Sequence, residues 1–324
     1  MKILVTGATG FIGRHLVKEL IKPGIIVTCL VRNLEKAESL KKLDVKLIKG
    51  DINDRAIVQH VLENQDVVYH LAAIGNSSFV SEIDYYKYYK TNVEGTENIM
   101  EGCIKNKIKK IVYFSSIAVM GITKDKISDE NSECYPVSPY QRSKYEAEKL
   151  VLNYYKKYNL PVVIIRPTMV YGLMDKDHSE ISRITKFIKL GIIPIIGKGY
   201  NSIPLVHVND LVNGAILAEK YGRSGQVYII TSENKYSLNE IIKTISDELG
   251  KKVLIIRIPK VIAQIIIFPI ELISKVFRFK SILTLKRIES MTNDRIFSVE
   301  KAKKELGYKQ TIGLKEGIKN QNFF

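Results

Sequence analysis

Lys2-Ile-Leu-Val-Thr6, running directly into Gly7-Ala-Thr-Gly10-Phe-Ile-Gly13, decides the fold of this chain. The opening residues form a short apolar run of the kind that fills a buried parallel strand. Arg14-His-Leu-Val-Lys-Glu-Leu-Ile21 continues with helical periodicity. Strand, glycine turn and helix start, in that order, suit a dinucleotide. Glycines let the backbone approach a pyrophosphate, and the helix N-terminus offers it free N–H groups. The spacing is G-x-x-G-x-x-G rather than G-x-G-x-x-G.

Working outward, Ile25-Ile-Val-Thr-Cys-Leu-Val31 reads as the second strand. A carboxylate at its end would bind the 2′-hydroxyl of NAD, whereas an arginine accommodates the 2′-phosphate of NADP. The chain offers Val31-Arg32, with no carboxylate before Glu35. NADP(H) is therefore favoured, and NAD(H) stays open. Further strands read as Val45–Lys49, Asp66–Leu71 and Lys110–Ser115, separated by helical stretches. Such alternation predicts an α/β fold, a Rossmann-like doubly wound parallel sheet with ligands at the carboxyl ends of its strands. Asp51, Ala72, Ala73 and Ser115 fall at those ends.

Tyr140 and Lys144 lie four apart in Ser138-Pro-Tyr-Gln-Arg-Ser-Lys144, one turn from each other on a helix face. An ammonium there would draw down a phenol pKa that is ordinarily about 10. Such pairs are common on helices. This one gains weight from the glycine motif and from Ser115-Ser116 upstream.

With these residues in place, the chain resembles the extended short-chain dehydrogenase/reductases, the NAD-dependent epimerase/dehydratase family. The likeness runs nearly end to end. It takes in Thr6–Gly13, Gly50-Asp51-Ile52, His70-Leu-Ala-Ala73, Asn92-Val-Glu-Gly-Thr96, Ser115–Gly121, Tyr140–Lys144, Arg166-Pro167, Val206-His-Val-Asn-Asp210 and Ser298–Tyr308. The resemblance implies that Tyr140 exchanges a proton with a substrate oxygen. Lys144 would bind the nicotinamide ribose and lower the tyrosine pKa, and Ser116 would hold the reacting oxygen. It implies cofactor contacts from Gly7, Thr9, Gly10, Phe11, Ile12 and Gly13, from Asp51 and Ile52 at the adenine, and from Ala72, Ala73, Asn92, Ser115 and Pro167.

Departures from the family pattern bear on substrate. Met120 stands where tyrosine is common. Nucleotide-sugar epimerases usually carry an asparagine where this chain has Met169, and a diphosphate-binding arginine where it has Ile203. Arg166-Pro followed by Val170-Tyr-Gly172 is nearer to dihydroflavonol reductases and 3β-hydroxysteroid dehydrogenases, which act on hydrophobic ketones or alcohols. Arg183, Lys198 and Arg257 are candidates to restore a phosphate site.

The chain's 324 residues suffice for two lobes. The expected division gives residues 1–172, with a return segment at 204–231, to the cofactor half. Residues 173–203 and 232–324 then form a substrate lobe. Cys29, Cys103 and Cys134 are widely separated and the five histidines scattered, so no metal site is expected and a reducing cytoplasm is. His70 and His207 fit structural duties better than catalysis. Met1-Lys2 leads straight into the first strand, so no signal peptide is expected.

The net charge is +16, from 50 Lys and Arg against 34 Asp and Glu. The lysines spread over helices without interleaved aromatics, which argues for a basic surface rather than nucleic-acid binding. Ile258 to Phe279 is strongly apolar, but its longest uncharged run, Val261–Ile270, is short of the roughly 20 residues a span needs. It reads as a packed cap helix or as an interfacial or lid helix meeting membrane through 258–280, with Lys275, Arg278, Lys280, Lys286 and Arg287 toward acidic lipid. By resemblance, regions 81–105 and 137–158 would pair in a homodimer. Tyr85, Tyr86, Tyr88 and Tyr89 would line either that contact or the cleft.

Three functions follow. The first is hydride transfer at a secondary alcohol or ketone, with Tyr140 as acid and base. The second is nucleotide-sugar 4-epimerisation with tightly held NAD. The third, a non-catalytic cofactor-binding subunit, sits poorly with the presence of Ser116, Tyr140 and Lys144 together. A dehydratase would usually need an acid pair where Ile117-Ala118 stands.

Overall fold

The computed structural model describes residues 1–75, 85–121, 127–173, 180–276 and 284–319. Strands β1 (Lys2–Thr6), β2 (Ile26–Val31), β3 (Lys46–Lys49), β4 (Val67–His70), β5 (Lys110–Phe114) and β6 (Val162–Pro167) are followed by the short β7 (Met169–Tyr171), β8 (Ile192–Ile196), β9 (Ser202–Ile203) and β10 (Leu205–His207). Then come β11 (Val227–Ile230), β12 (Tyr236–Ser237) and β13 (Leu254–Ile258). Seven of these form one sheet in the order β11-β6-β5-β4-β1-β2-β3, every neighbouring pair parallel. The chain reverses direction across the sheet between β1 and β4, and such a switch point opens a crevice for a ligand.

Both faces of this sheet are buried, so its strands are apolar without alternation. Ile3, Val5, Val67, Tyr69 and Val112 point into one core, with Leu16 and Val17 of the helix Phe11–Leu20 and Leu211 and Ala215 of Val208–Tyr221. Leu4, Val68, Ile111 and Tyr113 point the other way, against the helices Arg55–Leu62, Gly95–Lys105 and Pro139–Tyr158. A third cluster gathers Tyr171, Ile181, Ile193, Ile195, Ile241 and Leu314 beneath the two-stranded ribbons β10–β7, β12–β9 and β13–β8.

The first helix starts at Phe11, three residues before its apolar periodicity. Gly10 holds extended backbone as N-cap and brings no side-chain cap, so the first N–H groups stay available. The helix Pro139–Tyr158 starts from a capping box between Ser138 and Gln141, with proline at its entry. The helices Tyr85–Tyr89 and Gly95–Lys105 are joined by a π-helical turn, Lys90–Glu94, which carries Asn92.

The apolar segment departs from the packed-cap reading. It forms a helix over Lys260–Val276 with Pro269 inside. Ala263 is buried, but Val261, Ile262, Ile265, Ile266, Phe268 and Leu272 are exposed. The sequence here is apolar on nearly every side, and packing covers only one strip of it. Residues 277–280, the basic end of the interfacial reading, lie outside the described residues. No helix among the described residues is long and apolar enough to cross a membrane.

Candidate active site

The glycine turn is a cradle that side chains would fill. Gly7 has φ +73°, and a Cβ on it would come within 2.7 Å of the Ala72 nitrogen. A Cβ on Gly13 would lie 2.3 Å from the Gly7 carbonyl oxygen. The turn therefore closes against the end of β4 only if both are glycine, and the uncapped helix behind it suits a pyrophosphate. The residues present fit a dinucleotide.

At the end of β2, the Arg32 side chain is 66% exposed, with its guanidinium 4.0 Å from the Asp51 carboxylate. Asp51 also accepts from the backbone and side-chain nitrogens of Asn53. Arg14 reaches over from the first helix to donate to the Lys36 carbonyl at 3.1 Å. Its Nε is buried without a partner among the described residues, leaving a donor open beside the loop after β2.

Ser115 and Ser116 follow β5. Ser115 donates to the Glu148 carboxylate, while the Ser116 hydroxyl accepts from the Ala118 N–H at 3.1 Å. Tyr140 stands in the first turn of its helix, in edge contact with the ring of Tyr88, 5.9 Å away. Burial pushes its phenol above the ordinary value, and a hydrogen bond with Ser116 pulls the other way. Tyr140 is thus a neutral phenol near neutrality, a proton donor.

Lys144 is buried, and its ammonium donates to the Phe114 carbonyl at 2.7 Å and the Tyr113 hydroxyl at 3.1 Å. Burial lowers its pKa to about 8, against the attraction of Glu148 one turn on. Lys144 is not among the groups that shift the Tyr140 phenol in this arrangement. Its charge is engaged by β5, and Ser116 is the group that opposes burial at Tyr140.

Beneath the site runs a polar ladder. Thr6, just before the glycine turn, bonds one nitrogen of His70 at 2.7 Å, and Thr96 bonds the other at 3.0 Å. Tyr113 shares a hydrogen bond with Thr96 and meets Lys144. Burial drives the His70 pKa down to about 3, so the ring stays neutral. His207 caps the helix Val208–Tyr221, accepting from the Asn209 N–H. Asn92 clamps the loop after β4. It accepts from the Ile74 N–H at 2.7 Å and donates to the Ile74 carbonyl and the Ser143 hydroxyl. On that loop Ala72 is partly buried and Ala73 exposed, Ile52 is buried beyond β3, and Pro167 closes β6.

Sequence reasoning assigned no role to Glu148, and gave Arg166 none beyond its motif. Their buried pair, 2.6 Å apart with a second bond at 3.1 Å, sits below Lys144. The signal was there: Tyr140, Lys144 and Glu148 repeat every four residues, and Arg166 interrupts an apolar strand. Arg295 was also missed. Its backbone donates to the Ser202 carbonyl beside Ile203, and its guanidinium lies 5.8 Å from the Phe297 ring. Phe297 packs with Ile117, Val119 and Met120, directly after Ser116. No carboxylate pairs with Arg295 among the described residues. Met169 and Ile203, which stand where epimerases of the family usually carry asparagine and arginine, pack into the third apolar cluster.

Fold and site together define a dinucleotide-binding α/β enzyme. The description of the NAD-dependent epimerase/dehydratase family matches residues 3–231, and the chain belongs to that family, the extended short-chain dehydrogenase/reductases. It is 34% identical over 271 residues to a dTDP-D-glucose 4,6-dehydratase of Dictyostelium discoideum, covering 75% of this chain and 61% of that protein. A 3beta-hydroxysteroid-dehydrogenase/decarboxylase of Arabidopsis thaliana is 28% identical over 98% of the chain, which spans 60% of the relative's length. An Escherichia coli O157:H7 N-acetyl-alpha-D-glucosaminyl-diphospho-ditrans,octacis-undecaprenol 4-epimerase is 26% identical over 98% of this chain and 92% of its own. Among solved structures, the UDP-glucuronic acid 4-epimerase of Bacillus cereus in complex with NAD superposes with a TM-score of 0.81 at 25% identity, covering 99% of this chain and 97% of that one.

Proposed function

We propose that this enzyme transfers hydride between a nicotinamide cofactor and a secondary alcohol or ketone carbon, with Tyr140 as acid and base. The observation that carries this reading is the Tyr140 phenol, hydrogen-bonded to Ser116 at the end of β5, with the Lys144 ammonium one turn along the same helix. A bound nicotinamide supplies or accepts the hydride. Tyr140, neutral near pH 7, gives its proton to the carbonyl oxygen while Ser116 holds that oxygen in place. Lys144 stabilises the phenolate that remains. The glycine turn, Asp51 and Ile52, and the Ala72-Ala73 loop would hold the dinucleotide. Replacing Tyr140 by Phe tests the reading against a panel of ketones and alcohols. Turnover should fall by about 10²–10⁴ while cofactor affinity holds; unchanged turnover would refute it.

The finer cofactor preference is NADP(H). Arg32 is exposed at the end of β2, where a carboxylate selective for NAD is missing, and Arg14 holds a donor open beside it. For the substrate, Met169 and Ile203 favour an apolar body.

Arg295 supports a second reading. A half-buried guanidinium beside the Ile203 strand, with no carboxylate paired to it among the described residues, favours an anionic group on the substrate, as in 4-epimerisation of a diphosphate-linked sugar. UDP is the probe: binding that Arg295→Leu weakens tenfold or more favours this reading, and no UDP binding removes it.

The three free cysteines fit a reducing cytoplasm, and we place the protein there. We also propose a homodimer through the outer faces of the helices Gly95–Lys105 and Pro139–Tyr158. Tyr88 belongs to the cleft side, against Tyr140, and Tyr85 bonds Glu146 on the second of these helices.

A further inference from the structure

The helix Lys260–Val276 leaves apolar residues in water to an unusual degree. Exposure runs from 39% at Ile270 to 67% at Ile265, and Val261, Phe268 and Leu272 all exceed half. A helix apolar almost all round is normally buried in a core or in lipid. The strand that feeds it extends the surface. On the β8–β13 ribbon, Ile193 and Ile195 face the core, while Ile192, Leu254 and Ile256 stand exposed on the opposite side. Single exposed apolar residues need no explanation; a helix that leaves this many in water marks a contact.

Charge selects the partner. Residues 181–198 and 251–273 carry eight Lys and Arg against one carboxylate. That one, Glu271, accepts from the Leu285 N–H. A second copy packed across a twofold axis would set this cationic surface against itself. An anionic surface with an apolar interior is complementary on both counts.

We propose that this face, the helix Lys260–Val276 with the outer side of the β8–β13 ribbon, docks on an anionic lipid bilayer. The helix lies in the plane of the interface, with its apolar side chains among the acyl chains and Lys252 and Lys260 at headgroup level. At 17 residues it is about 25 Å long, which suits lying in the surface better than crossing. The proposal does not depend on the reaction the enzyme performs.

The test is co-sedimentation of the full chain with phosphatidylcholine vesicles, with and without phosphatidylglycerol. Binding should need the anionic lipid and weaken with added salt. The double variant Ile265→Ser/Phe268→Ser should bind at least about tenfold more weakly. Lys252→Glu/Lys260→Glu should lose binding in the anionic vesicles, and both variants should keep their NADPH affinity. Failure of the parent chain to bind either vesicle would overturn the proposal, as would equal binding by parent and both variants. A parent that ignores vesicles but is dimeric, with a monomeric apolar variant, would assign the face to a second copy and equally overturn it.

Discussion

At position 144 an ammonium is held where water scarcely reaches, and its chemistry follows from that. The Lys144 pKa stands at about 8 instead of 10.5, so the unfolded chain binds more protons across that window. This group therefore adds stability as pH rises from about 8 toward 10.5, and below 8 its burial costs on the order of 3 kcal/mol. Cofactor binding that needs the charge should run the other way. NADPH affinity should be flat below pH 8 and fall above it, and Lys144→Met should abolish the break; a break that persists in the variant would assign it to another group. His70 titrates oppositely placed, with a folded pKa of about 3. Its neutral ring favours the fold above its ordinary pKa, and that contribution is lost as pH falls from about 6.5 toward 3. Thermal melts across pH 4–7 should show a shallower acid loss for His70→Asn wherever that variant folds. Tyr140 and Lys144 were legible in the sequence because helix periodicity fixes their relation. Tyr113 and Arg295 were not, since their neighbours lie across the sheet or in another lobe and no local spacing announces them.

Among the elements, the helix Pro139–Tyr158 does most to set the site. Its capping box fixes the turn on which Tyr140 sits, and Ser138→Ala should cost about 1 kcal/mol, read by denaturant unfolding. Glu148 on the same helix neutralises Arg166. Glu148→Gln should destabilise by about 3–5 kcal/mol by leaving a buried guanidinium uncompensated, while Glu148→Leu with Arg166→Met should recover much of that loss. A double variant no more stable than the single one would mean that the pair is needed as charge. Along the first helix, Gly13→Ala should remove NADPH binding, because its Cβ has no room against Gly7; retained affinity would show that the turn can open. Strands β1 to β5 of the main sheet were readable to within a residue or two, since burial on both faces makes them continuous apolar runs. The short ribbons around the third cluster were not, because two- and three-residue strands carry no period.

For the whole molecule, the seven-stranded sheet meets a small apolar cluster of Ile117, Met120 and Phe297 at the end of β5, directly after Ser116. The +16 charge is not spread evenly in effect, since part of it borders the exposed apolar helix. Sedimentation should give twice the mass of one chain; a monomer at micromolar concentration would remove the proposed dimer. The proposed reaction requires a nicotinamide cofactor that exchanges at the glycine turn. Its most direct test is to denature the purified protein, identify any released nucleotide by mass, and titrate the nucleotide-free chain with NADPH and NADH by nicotinamide fluorescence. Saturable NADPH binding near one per chain, tighter than NADH and unchanged in Tyr140→Phe, is the predicted result. Binding of neither nucleotide would contradict the account.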